Sequence, residues 1–507
     1  MIQVVVMVEK FLQAVKDLDL TEKLFQGFFG LEVEEHRITT DGKISRYPYP
    51  TEFGSRRTHP YLQSDFTDSM LELVTEPTKG GRETVKNLRM LQQIVQSYLH
   101  EDERIWPFSM PPHLDEDDLK FAHDDFTRPW FQDYRDYLEK KYGIEHEIIA
   151  GTHINYSLNE KLLKTLYEKI MYDKYETYAA FKNVTYFKLA QNFVLYRWLF
   201  TYLYGASPLS ENKYAPDELD YPVRSLRNSN LGYSNHPGEK ITYESLESQA
   251  AQLEKYVADG TFYSIHEFYG PVRMKGKGDD FKRILNEGVS YLEFRAFDLD
   301  PLSRAGVSDD TLDFLEIFLA YSICAPLPDD LPAALADADK KNQEMALGNP
   351  NERPEWLRKS VGPLINNMAA FAEAMNAPKK YTTAIIITAK RLKNVKLTLG
   401  SQLAARIEDD SLVTYGLKVA NDRYLKQRTL AHPIQVLSDK YSDSVQQLIK
   451  EAIVMGIRVR MLSDHVELIV NEHHESFEPE AMLEFPRGVR DFIEGKFPEF
   501  TMDHQKD

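Results

Sequence analysis

Chemically capable side chains recur at every second position in four short segments. Acids alternate with aliphatic residues in Leu31-Glu32-Val33-Glu34, and one acid sits between leucines in Met70-Leu71-Glu72-Leu73-Val74. In Thr152-His153-Ile154-Asn155-Tyr156-Ser157 an imidazole, an amide and a hydroxyl alternate with Ile and Tyr. In Tyr291-Leu292-Glu293-Phe294-Arg295-Ala296 a carboxylate and a guanidinium lie two residues apart. Side chains i and i+2 of an extended strand share a face. Each segment, read as a strand, therefore carries packing residues on one face and Glu32, Glu34, Glu72, His153, Glu293 or Arg295 on the other.

Two readings fit that pattern. One is the solvated outer face of an antiparallel sheet. The other is a cation site, since these polar faces are rich in carboxylates and free of lysine. Glu32 and Glu34 are like charges one pleat apart, a repulsion that a cation between them would relieve. Carboxylates with a single imidazole suit Mg²⁺ or Mn²⁺, which take hard oxygen ligands and keep positions open for phosphate. No H-E-x-x-H, G-x-x-x-x-G-K-[ST] or strand-borne G-x-G-x-x-G occurs, which sets aside the zinc-protease, P-loop, kinase and Rossmann readings. ATP, if used, must be held through metals and arginines on a sheet. Arg227, Arg273 and Arg295 lie in suitable segments.

The elements that must position these groups alternate between two periods. Strands are expected over 31–39, 69–75, 151–158 and 291–299. Spacings of three and four predict helices through Leu91, Ile94, Val95, Tyr98 and Leu99, and through Leu162, Leu163, Leu166, Tyr167 and Ile170. A helix through Leu312, Leu315, Ile317, Phe318 and Leu319 is apolar on most sides and should be central. Polar, Pro-bearing 207–222 and GKGDD at 276–280 read as loops, and 326–353 as a surface excursion holding a short helix. The expected organisation is a catalytic sheet-and-helix core over 1–325, linker helices over 326–378 and a mainly helical region over 379–507. The acidic stretch 471–507 is expected at the surface.

Composition bounds the rest. The chain has 507 residues, 42% hydrophobic and 28% charged, with 61 Lys plus Arg against 79 Asp plus Glu and a net charge of −18. So acidic a chain is a poor general partner for nucleic acid or anionic membrane. The single cysteine, Cys324 in FLAYSICAPL, can form neither an internal disulfide nor a thiolate zinc site and reads as a core thiol. The N-terminus lacks a basic n-region and a long apolar h-region, and no run reaches about 20 apolar residues. A reduced, cytoplasmic protein is expected.

The ordered segments GLEVEEHRITTDG (30–42), SDFTDSMLELVT (64–75), DERIWPFSMP (102–111), GTHINYSL (151–158), YLYGASP (202–208), SLRNSNLGYSN (225–235), FYGPVR (268–273) and YLEFRAFDLDPLSRAGV (291–307) resemble bacterial glutamate–cysteine ligase. The resemblance covers roughly residues 20–325. It implies an α+β fold similar to glutamine synthetase, with helices around a curved antiparallel sheet whose concave face holds Mg²⁺, ATP and L-glutamate. It further implies Glu32, His153 and Glu293 as ligands of one metal, and Glu34, Asp65 and Glu72 as ligands of another. Arg295 would contact the transferring phosphoryl group, its bland alternative being an ion pair with Glu293, and Arg273 would contact phosphate. Tyr233 and Tyr269 would form the L-cysteine site, Arg227 and Arg135 would line the substrate region, and Trp106 would shape the pocket. The implied reaction phosphorylates the γ-carboxylate of glutamate with ATP, and the amine of cysteine then displaces phosphate.

Beyond about residue 325 the chain is more similar to the N-terminal module of the Gram-positive bifunctional glutathione synthases. No following ATP-grasp module is found, so the product should be γ-glutamylcysteine, passed to a separate glutathione synthetase unless the chain is a fragment. Val33 stands where some relatives carry a basic residue, on the core side. The alternatives are a ligase using another amine acceptor, and a decayed, non-catalytic nucleotide binder. All six ligand positions are filled, which opposes decay. A glycosidase offers no place for Arg295 and His153.

Overall fold

The computed structural model describes residues 11–123, 129–212, 219, 222–278 and 280–500. Parts of the loops expected at 207–222 and 276–280 lie outside these. The strands are β1 (Phe28–Thr39), β2 (Leu62–Ser64), β3 (Met70–Val74), β4 (Thr78–Lys79), β5 (Glu103–Ile105), β6 (Thr152–Ser157), β7 (Val272–Lys275) and β8 (Tyr291–Phe297), followed by β9 (Arg458–Met461), β10 (Val466–Val470) and β11 (His473–Phe477). The first eight form one sheet in the order β2-β3-β1-β6-β8-β7, with β4 and β5 pairing to β1. Every named ladder is antiparallel. The α+β expectation, a large antiparallel sheet surrounded by helices, holds.

Alternation divides the sheet into two faces as the sequence requires. Leu31, Val33, Leu71, Leu73, Ile154, Tyr156, Leu292 and Phe294 are all buried. Phe294 meets Phe193 with ring centroids 4.6 Å apart. Burying one such side chain contributes about 1.5–3 kcal/mol, so each apolar row fixes the register that aims its polar neighbours the other way.

The helix Asp309–Ser322 is buried on nearly every side, as its composition predicts, and is capped by Ser308. Its Phe314 and Phe318 pack on Phe200. Cys324 is a free, buried thiol, pushed up to about 12 by burial.

Two expectations need correction, and a third is incomplete. The helix in the excursion runs over Leu331–Leu347, with Ala338, Asn342, Met345 and Ala346 buried. It is longer than the short helix predicted, because a sparse row of small residues and one methionine suffices to dock it. The region after 379 contains the β9–β11 meander as well as helices. Val466, Leu468 and Val470 face inward there while Glu467 and Ile469 do not. The acidic stretch is not all surface: Ile493 and Phe497, on and just after the helix Val489–Lys496, are completely buried. High charge masked an amphipathic helix.

One hydrophobic cluster runs from Val15 to Phe497. Among the described residues no helix is long and apolar enough to cross a membrane.

Candidate active site

A cavity of about 370 Å³ opens on the polar face of the sheet. Register builds it. Directly opposed residues of antiparallel strands put their side chains on the same face. Glu32 on β1 lies opposite His153 on β6, and Glu34 lies opposite Glu72 on β3. On the far side β8 presents Glu293 opposite both Asn155 on β6 and Arg273 on β7. The β6–β8 ladder shifts register between Thr152 and Ile154, at His153 itself, an irregularity of the kind that re-aims side chains at active sites.

Glu32, His153 and Glu293 converge, with one ligand atom from each within 4.8 Å of the others. His153 Nδ1 is 3.7 Å from Glu32 Oε2 and 3.8 Å from Glu293 Oε1. Its Nε2 is buried without a hydrogen-bond partner among the described residues and lies 3.7 Å from Glu34 Oε1. The amide of Gly151 donates to Glu34 Oε2 at 2.7 Å, and Asn155 donates to Glu32 Oε1 at 2.7 Å. Among the described residues this is the one group that converges so tightly. The second set expected, Glu34, Asp65 and Glu72, lines the same cavity more loosely. Asp65 occupies the turn between β2 and β3, where its amide donates to Met70 O at 3.0 Å, and its side chain faces the open cleft.

Electrostatics separate these acids into two kinds. Burial pushes Glu34 up to about 8, and Asp65 adds to the rise against Arg227 and Arg295. Glu72 is raised well above the usual carboxylate range by burial and then by Asp65, Glu32, Glu34 and Glu293. Asp65 is pushed up to about 6 by the enclosing walls and Glu147. Burial acts on Glu293 in the same direction, but Arg295, Arg273 and Lys275 together hold it well below that range. His153 is lowered to about 4 by burial and Arg295, so its imidazole is neutral and has a lone pair to give. Crowded acids that resist ionisation, beside a neutral and unpartnered imidazole nitrogen, fit a divalent cation of the Mg²⁺ or Mn²⁺ type.

This gives a pH dependence. Glu34 holds a proton in the folded, cation-free chain that the unfolded chain releases near 4.5. Native protein then binds more protons than unfolded protein between about pH 4.5 and 8, so stability falls as pH rises through that window. A cation must displace such protons, so its affinity rises with pH. Mg²⁺ is therefore expected to raise the melting temperature more at pH 8 than at pH 6. Calorimetry showing an equal or larger shift at pH 6 contradicts this.

The arginines occupy distinct places. Arg295 donates through Nη1 to Glu293 and through Nη2 to the Tyr233 hydroxyl. The bland expectation for Arg295, an ion pair with Glu293, is thus present in the structure. Arg273 lines the cleft, but its guanidinium donates to the carbonyls of Phe268, at 2.7 Å from Nε, and of His266, at 2.8 Å. Arg227 is buried beneath the cleft and donates to Arg295 O at 2.8 Å. Its Nε and Nη2 find no partner among the described residues. Arg135, on the helix Pro129–Tyr142, lies 4.4 Å over the Phe66 ring and is lowered to about 9 by burial and by Arg56 and Arg57. A Cβ at Gly151 would come within 1.9 Å of Arg227 Nη2. Gly151→Ala must displace that guanidinium, and it is expected to cost about 1–3 kcal/mol of stability. Denaturant unfolding checks it.

Tyr233 and Tyr269 pack with ring centroids 4.7 Å apart and planes tilted by 47°, and both line the cavity. Glu147, Tyr134 and Lys275 are among the lining residues that escaped the sequence reading. Glu147 accepts from the Tyr269 hydroxyl at 3.0 Å, and Tyr134 joins the wall. Lys275 lies 3.4 Å from Glu293 Oε2. Lys275 had a signal, since it follows Arg273 by two and so shares its face; Glu147, in a four-residue helical turn, had none. Trp106 does not line this cleft. It is buried in a neighbouring aromatic layer, with its indole N–H donating to Met110 O at 2.8 Å.

The glutamate–cysteine ligase family model matches residues 12–265 and 260–345. The chain belongs to the glutamate–cysteine ligase family. It is 35% identical to the glutathione biosynthesis bifunctional protein of Streptococcus mutans, over 90% of this chain and 59% of that one. It is 32% identical to the Enterococcus faecalis protein of the same name, over 89% and 59%. The chain thus spans about three-fifths of the length of these relatives. Its fold superposes on the crystal structure of a bifunctional glutathione synthetase from Pasteurella multocida with a TM-score of 0.84 and 29% identity, covering 92% of this chain and 62% of that one. It also superposes on a glutamate–cysteine ligase from Francisella tularensis in complex with AMP, with a TM-score of 0.70 and 21% identity, covering 85% and 93%. The latter match bears on the fold alone.

Proposed function

We propose that this member of the glutamate–cysteine ligase family joins the γ-carboxylate of L-glutamate to the amine of L-cysteine at the expense of ATP, forming γ-glutamylcysteine, ADP and phosphate. This is the first step of glutathione biosynthesis. The observation that carries the reading is the convergence of Glu32, His153 and Glu293 beside Arg295 on neighbouring strands. Glu32, His153 and Glu293 would hold one Mg²⁺ or Mn²⁺, and Glu34, Asp65 and Glu72 a second, more loosely. Bound there, the cations would neutralise charge on the ATP phosphates.

A carboxylate is a poor acyl donor because it is charged and lacks a leaving group. Attack of the γ-carboxylate oxygen on the γ-phosphorus of ATP gives γ-glutamyl phosphate and ADP. The cysteine amine then adds to the acyl carbon and expels phosphate. Arg295 would follow negative charge through the transfer, and Arg273, once freed of its carbonyl contacts, would engage phosphate. Arg227, with two unpartnered donors, and Arg135 would orient carboxylate groups of the substrates. Tyr233 and Tyr269 would wall the acceptor site, with a phenol able to bond the acceptor carboxylate. A thiol acceptor requires a reducing compartment, which makes the cytoplasm the expected location. A glutathione synthetase would take the product onward.

Phosphate release with ATP, Mg²⁺ and glutamate, comparing L-cysteine with other amino acids, tests this function. Cysteine is expected to give the highest kcat/KM. A clearly better acceptor would transfer the same chemistry to another amine, and no amine-dependent release would refute the ligase reading.

A further inference from the structure

On the side of the sheet away from the cleft, three elements distant in sequence bring four cations to one small cavity of about 100 Å³. Arg89 comes from the helix Gly81–Gln96, Arg304 from the turn after β8, and Arg423 and Lys426 from the helix Val413–Arg428. The remaining lining is glutamine side chains and one leucine, with no Asp or Glu. None of the four cations forms an ion pair among the described residues. That is unusual in a chain of net charge −18, where carboxylates are plentiful.

The arrangement is fixed from below. Arg423 donates through Nη2 to Ser303 O at 2.7 Å and Pro301 O at 3.2 Å, which ties the helix to the turn bearing Arg304. Glu35, which follows Glu34 on β1 and so points to the opposite face, accepts from Gln92 at 2.7 Å and is felt electrostatically by Arg423. Asp309 acts on Arg89, against the like charge of Arg304. These acids stand behind the cations and leave the cavity itself lined by donors. Arg304 and Lys426 are exposed at its mouth, while Arg89 and Arg423 are half-buried at its floor.

We propose that this pocket is a binding site for a small oxyanion of the phosphate class. Guanidinium forks match the edges of a tetrahedral oxyanion and can engage it bidentately. The amides of Gln93 and Gln96 can complete such a shell without adding charge, whereas Gln92 donates to Glu35 and Ala305 O and Gln427 to Gln93 O. The volume corresponds to roughly three waters' share of the liquid, enough for one phosphate group and too little for a nucleoside. The source is either free phosphate, which the proposed ligase reaction releases, or the phosphate group of a phosphomonoester.

Metal-free full-length protein, freed of chelator, provides the test. The cleft also carries cationic groups, Arg273 and Arg295 among them, so a variant that leaves the cleft untouched is what assigns a response to the cationic pocket. Melting is followed against inorganic phosphate, against glycerol 3-phosphate, and against chloride at matched ionic strength. Inorganic phosphate is expected to stabilise the protein saturably in the millimolar range, and Arg304→Gln with Lys426→Gln is expected to weaken the apparent affinity at least tenfold. A response to inorganic phosphate alone supports the site and assigns it to free phosphate. A response to both supports it and assigns the site to a phosphomonoester group as well. Phosphate acting no better than chloride, or an unchanged response in the double variant, overturns the proposal. No turnover is measured, so such a failure would leave the ligase reading standing.

Discussion

Glu293→Gln is expected to lower kcat about 10³-fold or more while the chain stays folded. Glu293 is the carboxylate held most firmly ionised in the cleft, because Arg295, Arg273 and Lys275 surround it. It is also the one that joins the imidazole and Glu32 in the tight convergence. The amide keeps an acceptor for Arg295 but removes the charge a cation would use. Breaking a buried ion pair from one side costs about 3–5 kcal/mol, so the variant should be less stable, and near-ultraviolet circular dichroism must accompany the kinetics. The decisive combination is native circular dichroism, lost phosphate release and weakened Mn²⁺ binding. Wild-type turnover in this variant would remove Glu293 from the cation site.

Arg295→Lys keeps the charge and still should cost about 10²–10³-fold in kcat. The two ends of the Arg295 fork reach Glu293 and the Tyr233 hydroxyl, a span that a single ammonium cannot reproduce. The guanidinium thus connects the proposed cation site to the wall of the proposed acceptor site. Two roles predict different readouts. If Arg295 only orients Glu293, the variant should weaken Mn²⁺ binding and recover turnover at saturating metal. If it follows the transferring phosphoryl group, metal affinity should hold and kcat should stay low. The second pattern is expected.

The part of this site that could be read from sequence is the part governed by a local rule. Period-two alternation placed Glu32, Glu34, Glu72, His153, Glu293 and Arg295 on polar faces because burial of Leu31, Ile154 or Phe294 leaves no other choice. The same rule marks Glu35, an acid on the apolar side of β1, as an exception needing partners. Alternation could not show that the faces belong to adjacent strands; register supplies that, through pairs such as Glu32 with His153. Asp65 and Arg227 obey no period. Arg227 lies beneath the cleft in a turn packed against Gly151, where a side-chain carbon would collide with it. Asp65 and the two tyrosines rest on family resemblance alone, and so does the substrate-lining role of Arg227. Glu147 and the β9–β11 meander stayed hidden for related reasons. A single helical turn carries no periodic signal, and strands of four or five residues barely complete one.

The central claim is that these side chains serve to make the distal carboxylate of an amino acid reactive by phosphorylating it. Glutamate labelled with ¹⁸O in its γ-carboxylate, turned over with ATP, Mg²⁺ and cysteine, tests it most directly by mass spectrometry of the products. The predicted result is one ¹⁸O in each released phosphate and one retained in the new amide carbonyl. Unlabelled phosphate, or ¹⁸O appearing in AMP, would contradict it.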